Sequence, residues 1–147
     1  MLPEKLDAEV VKASGARVRP VMIHQAVLGS IERFMAILVE HHRGNLPFWV
    51  APEQIVVAPV SSGQLEYARA AAERFHTAGF RCLIDEANET LSRRIVAAHN
   101  KGIPIFTTVG PKEVSAGTVT IRERGGVRST RSLSDATDWL KAINPSE

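Results

Sequence analysis

The sequence predicts an α/β protein whose larger part is built on a five-stranded mixed sheet, preceded by a β-hairpin and a helix. Three observations carry that prediction. Between Ile55 and Val109, short apolar runs alternate with amphipathic helical spacings in a strand–helix–strand–helix–strand order. Such an order implies right-handed crossovers and three parallel strands. From Thr118 to Ser132 the period changes to two on either side of Gly125-Gly126, which predicts an antiparallel hairpin with a primed turn. A last amphipathic stretch, Ser134 to Ile143, predicts a closing helix with Ser134 as its N-cap.

The elements follow in order. Ala8 to Ala26 read as two strands around the turn Ser14-Gly15-Ala16-Arg17, with Gly15 suited to positive φ. Ser30 reads as an N-cap, and Ile31, Phe34, Ile37 and Leu38 recur at helical spacing. Met35 and Val39 widen that face, and His41-His42-Arg43-Gly44 supplies cations and a glycine at a helix C-terminus. Asn45 to Pro52, with Phe48 and Trp49 between prolines, reads as a linker pinned by its aromatics. Ile55–Val60 is almost wholly apolar, as in a strand covered on both faces. Gln64 to Ala78 has Leu65, Ala68, Ala72 and Phe75 on one side and stops at Gly79. Phe80 to Asp85 is a strand, Glu89 to Lys101 a helix stopped by Gly102, and Ile103 to Val109 a third strand.

Composition narrows the function classes. In 147 residues, 44% are apolar and 23% charged, ordinary for a globular protein with one main domain. No apolar run approaches the roughly 20 residues of a membrane helix. The expected setting is therefore the cytoplasm, with no membrane partner. The single cysteine, Cys82, excludes an internal disulfide and lies in the apolar strand RCLIDE, where a buried inert thiol is expected. Charge is unevenly spread. Residues 1–87 hold nine Lys/Arg against ten Asp/Glu, whereas residues 88–131 hold eight against three, a net of +5. That is the footprint of a polyanion-binding face, although charge alone fits a solvated cationic surface equally well.

The segments LPEKLD, PVMIHQAVLGSIERFMAILVEHHRGNLPFWVAPEQIVVAPV, DEANET and GIPIFTTVGPKEVSAGTVTIRERGG occur in that order without large gaps. Together they resemble the C-terminal part of the threonyl-tRNA synthetase family. The resemblance implies that residues 49–147 form the three-layer anticodon-binding domain of the class IIa synthetases, with a five-stranded mixed sheet and three helices. It implies that residues 1–48 correspond to the end of a class II catalytic domain, including the strands and helix of its third signature motif.

Residue roles follow from the same resemblance. His24 matches one of three zinc ligands that hold the amino-acid substrate, and Arg33 matches the arginine that packs on ATP. A neutral imidazole suits Zn²⁺, and a planar guanidinium stacks on adenine. For tRNA, the resemblance implies Asn88, Glu113 and Arg122 as base-reading residues, with Arg94 adding charge beside them. Carboxylates and amides suit base edges, and arginine suits guanine or phosphate. The family's other two zinc ligands and its first two motifs have no counterpart in these residues. The chain by itself is accordingly expected not to activate threonine, with the His24 metal position unoccupied and no cofactor in isolation, whereas the full-length family uses ATP and zinc.

The expected partner is tRNA, with threonine tRNA one candidate. Self-association through exposed N-terminal strands, or a synthetase partner, is the further expectation. Two alternatives stand beside a tRNA-binding module: part of an active ligase completed by a catalytic half, and a regulatory self-associating paralogue. Departures from the family pattern are Gln25 for an arginine, Ala87 and Thr90 for two cations, and Val96 for an arginine. His41 and His42 are expected as helix-end caps with diverging side chains, and His76 and His99 as exposed helix residues.

Overall fold

The computed structural model describes residues 2–144. The chain divides into two compact units, Met1–Met35 and Ala36–Glu147.

In the first unit, α1 (Leu2–Lys5) leads to a short antiparallel ladder of β1 (Val10–Val11) and β2 (Arg17–Val18). Gly15 turns the chain at φ +79°, its N–H bonding the carbonyl of Lys12. Arg19 ties the ends together through the carbonyl of Pro3 (3.1 Å) and the carboxylate of Asp7 (3.0 Å). The two long strands expected over Ala8–Ala26 shrink to two paired residues each. Residues 19–30 carry no regular element, and Val21, Ile23 and Val27 are 90%, 89% and 81% exposed. Apolar residues make a strand only where a neighbouring backbone accepts their hydrogen bonds, and residues 21–27 have no such partner within the unit. Helix α2 (Ile31–His41) follows, with none of its side chains buried. Ser30 sits at its N-terminus, where its carbonyl receives the N–H of Phe34, but its hydroxyl donates to Glu32 (2.6 Å) instead of capping. That bond holds the Glu32 carboxyl below its ordinary range. His41 and His42 do not diverge as expected; their rings meet edge-on at 4.9 Å.

The second unit holds the core. Strand β3 (Ile55–Pro59) is buried throughout, β4 (Cys82–Ile84) and β5 (Ile105–Val109) pair with it in parallel, and β6 (Thr118–Glu123) and β7 (Arg128–Ser132) continue antiparallel. The order is β4-β3-β5-β6-β7. One face is sealed by α3 (Leu65–Thr77) and α6 (Leu133–Ile143), whose Phe75, Ala68, Ala136 and Leu140 pack on Ile55, Val57, Val119 and Ile121. Alanines on α3 let the helix approach the sheet closely. On the other face, α4 (Leu91–Asn100) covers only the β3–β5 side, over Val56, Ala58 and Phe106. Helix α4 does not extend over the β6–β7 side of that face.

Several local expectations need correction. A fourth, short helix, α5 (Pro111–Ala116), joins the three predicted ones; Pro111 starts it and Gly117, at φ +66°, ends it. Helix α6 is capped by Ser132, not Ser134: the Ser132 hydroxyl accepts from the N–H of Asp135 (3.1 Å). The hairpin turn is not a primed two-residue turn. The N–H of Gly126 bonds the carbonyl of Glu123, the N–H of Glu123 bonds Val127, and only Gly126 of the pair has positive φ, +86°. That is a three-residue loop closed by a left-handed glycine. Trp49 is 53% exposed and does not anchor the linker. The anchors are Phe48, packed against Phe80 at 5.7 Å, the buried amide of Gln54, which donates to the Phe48 carbonyl (2.9 Å), and Arg81, which donates to the carbonyls of Trp49 and Ala51 (each 2.9 Å). His99 is half-buried with a shielded, unpartnered Nε2, while His76 is exposed. Cys82 is half-buried and its thiol is pushed up to about 12 by burial, which makes it a poor nucleophile.

Candidate nucleic-acid interface

Strand alternation decides which side chains reach the open half-face. Val119 and Ile121 of β6 point into the sealed core, so Thr118, Thr120 and Arg122 point the other way. Register then builds rows across the sheet. Thr108, Thr120 and Thr130 form a row of hydroxyls, and Phe106, Arg122 and Arg128 form the row beside it.

Glu113 borders the hydroxyl row from the first turn of α5. One carboxylate oxygen accepts from the N–H of Gly110 (3.0 Å), and the other from the hydroxyl of Thr120 (2.8 Å). Burial works to raise its pKa, but the bonds from Thr120 and from backbone N–H groups, with Lys112 alongside, outweigh it. The group stays below its ordinary 4.5 and is ionised at neutral pH. Tyr67, whose hydroxyl donates to the carbonyl of Thr118 (3.0 Å), is pushed up by burial and by the nearby Glu113 charge. Each Glu113 oxygen keeps a lone pair for a further donor.

Arg122 and Arg128 stand directly across from each other on the strand pair. No carboxylate pairs with either among the described residues. Like charges opposite each other on a sheet are unfavourable unless an anion lies between them. Arg128 did not emerge from the sequence reading. The two-residue turn expected from the sequence would set Arg122 opposite Ser129; the three-residue loop shifts the register by one and brings Arg128 onto this face.

Asn88 and Arg94 belong to the carboxyl end of the parallel strands. There α3 leaves β3 toward one face and α4 leaves β4 toward the other, opening a crevice of about 420 Å³ whose rim includes Ser61, Ser62 and Asn88. Asn88 is exposed. Arg94 is only 6% exposed, and its guanidinium is committed inside the protein: to the Asp85 carboxylate (2.8 Å), to the Asp85 carbonyl, and to the Pro59 carbonyl (2.8 Å). Asp85 in turn accepts from the N–H of Ala87 (3.0 Å). Arg94 therefore holds the shape of the loop that carries Asn88. Arg93, by contrast, is exposed and pairs with Glu89 (3.1 Å).

In the first unit, His24 and Arg33 are both exposed. Zinc needs three or four protein ligands, and no group of three His, Cys, Asp or Glu with metal-binding geometry exists among the described residues. The described residues alone do not fit a zinc site. No helix among them is long and apolar enough to cross a membrane.

The larger unit is thus an α/β module: a mixed sheet sealed by two helices on one face and carrying rows of hydroxyls and guanidiniums on the other. The anticodon binding domain family model matches residues 54–143, well over half of the chain, and the chain belongs to that family. The particular relatives are threonyl enzymes. The chain is 46% identical over 124 residues to a threonine–tRNA ligase of Polaromonas naphthalenivorans, covering 84% of this chain and 20% of that protein. It is 44% identical over 142 residues to a threonine–tRNA ligase catalytic subunit of Sulfurisphaera tokodaii, covering 97% of this chain and 26% of that one. The RNA binding domain of threonyl-tRNA synthetase from Cryptosporidium parvum Iowa II superposes with a TM-score of 0.82 at 28% identity, over 99% of this chain and 38% of that chain. The chain is thus homologous to the C-terminal region of threonyl-tRNA synthetases, and it spans about a fifth to a quarter of the length of these ligases.

Proposed function

We propose that residues 49–147 bind the anticodon loop of a tRNA on the open half-face of the sheet, and that residues 1–48 are the closing segment of a class II catalytic domain. The observation that supports this most is the family match over residues 54–143, a segment that includes Arg122 and Arg128, which have no carboxylate partner among the described residues. In this reading Glu113 accepts from a base amino group while it caps α5. Arg122 donates to guanine or phosphate, Arg128 to phosphate, and Asn88 reads a base edge at the crevice. Arg94 acts from behind, as the strut of the Asn88 loop. Threonine tRNA is the first partner to test, and the cytoplasm is the proposed setting.

Filter binding over a salt series tests the proposal. Folded tRNA should bind at least about tenfold more tightly than an unstructured RNA of equal length, and Arg128→Ala should weaken binding and lower the salt slope by about 1. Equal affinity for both RNAs would sink the specific form.

A second reading has its own support. The likeness to the Sulfurisphaera subunit covers 97% of this chain and so runs through the first unit as well. As part of a threonine–tRNA ligase, Arg33 would face ATP and His24 would give one ligand to a zinc ion held largely by another part of the protein. Threonine-dependent pyrophosphate exchange should then arise only when a catalytic half is added. Without it, the exposed Val21, Ile23 and Val27 favour association with a second copy or with a synthetase partner, which sedimentation would read.

A further inference from the structure

A hydroxyl ordinarily donates or accepts as its neighbour requires, and so cannot tell an amino group from a carbonyl. One hydroxyl on the open half-face lacks that freedom. Ionised Glu113 has no proton to give, so the 2.8 Å contact with Thr120 must be donated by Thr120. Thr120 has a single hydroxyl proton, now committed. The 3.0 Å contact between the Thr120 and Thr130 hydroxyls must therefore be donated by Thr130. That commits the only proton of Thr130 as well, and leaves the hydroxyl oxygen of this exposed residue with lone pairs alone to offer. The N–H of Gly110 on the other Glu113 oxygen fixes the carboxylate at the head of the chain. Thr120 is buried, so water does not readily compete for the middle link.

We infer that Thr130 is a specificity-determining residue of the RNA site, an acceptor-only hydroxyl that selects a base presenting an exocyclic amino group and rejects one presenting a carbonyl there. The inference rests on the RNA-binding reading above and deepens it. Thr130 lies one strand outward from Thr120 and one row from the Arg122–Arg128 pair, so a phosphate held by the arginines leaves its base within the reach of this row. A carbonyl oxygen facing Thr130 would meet lone pairs and lose its hydrogen bond to water, which is discrimination by an unmatched polar group.

The test uses stem-loop RNAs that differ at one anticodon position at a time, cytidine against uridine, adenosine against inosine, and guanosine against inosine. They are titrated against the whole chain and three variants checked for folding by circular dichroism. The unaltered protein should prefer the amino form about tenfold at one position. Thr130→Val keeps the β-branched shape and should bring the two forms within about twofold of each other at that position only, while Thr130→Ser should keep the preference. Thr120→Val leaves the Thr130 hydroxyl in place but removes its acceptor, freeing the Thr130 proton, and should also flatten the preference. A merely structural role for Thr130 would not do this. If Thr130→Val or Thr120→Val discriminates like the unaltered protein, or if Thr130→Val weakens every RNA equally, the inference falls while the RNA reading stands. If the unaltered protein binds no stem-loop, both fall.

Discussion

Ile23 and Ile55 each lie in an apolar run three residues after a proline, and they end in opposite environments. Ile55 is fully buried between β4 and β5, whereas Ile23 is 89% exposed and belongs to no strand. Around Ile55 the chain supplies parallel neighbours on both sides and helices on both faces. Around Ile23 the first unit supplies two-residue strands and, among its described residues, one buried side chain, Pro3. Hydrophobic residues are a condition for a core, but pairing partners and covering layers turn that condition into structure.

The sharpest way to test this contrast is to delete a side chain from each region. Phe75→Ala removes a ring from the sealed face of the sheet and should cost about 4 kcal/mol of unfolding free energy. Ile23→Ala should change stability by less than about 0.5 kcal/mol. Urea denaturation measures both, and comparable losses would mean that residues 21–27 pack more than the structure shows.

The second contrast, within the larger unit, is between arginines. Arg94→Ala strands the carboxylate of Asp85 and removes the link to Pro59, and should cost about 3 kcal/mol. Arg128→Ala should leave stability within about 0.5 kcal/mol while weakening RNA binding. An Arg94 variant that folds normally and loses only RNA affinity would move Arg94 from strut to contact.

The smallest effect concerns Glu113. A carboxylate held below its ordinary value stabilises the fold above about pH 4.5, and that contribution disappears as the pH falls through the lowered value. Thr120→Val removes one of the donors, so the variant should lose less stability than the unaltered protein as the pH falls below about 4.5. The difference should be under about 1 kcal/mol. Parallel acid profiles would show that the Thr120 bond does not hold the carboxylate down.

Strand and helix identity in residues 55–143 could be read from the sequence because period, apolar face and stop signals agreed there, as in the all-apolar β3 or the Gly79 and Gly102 breaks. The short helix α5 escaped because six residues carry too little periodicity, although the Pro111 start and Gly117 stop were visible. Cap choice at α6 turned on which of two serines met a free N–H, a matter of backbone path. Of the candidate site, Glu113 and Arg122 came from family resemblance, not from pattern. Arg128, Thr120 and Thr130 join them only through cross-strand register, and the burial of Arg94 depends on the meeting of three elements. Local sequence carries neither. Trp49 misled because a large aromatic between prolines looks like an anchor, while Phe48 next to it is the one that packs.

The three-residue loop at Gly126 has a consequence for how this surface can change over evolutionary time. Insertion of a single residue into β7 beside that loop would turn the strand over, carrying Ser129 and Arg131 outward and tucking Thr130 and Arg128 toward α6. Lengthening by two would preserve the outward set and merely slide it along. Parity in the strand, more than the identity of any one side chain, therefore governs whether descendants of this chain keep the same surface.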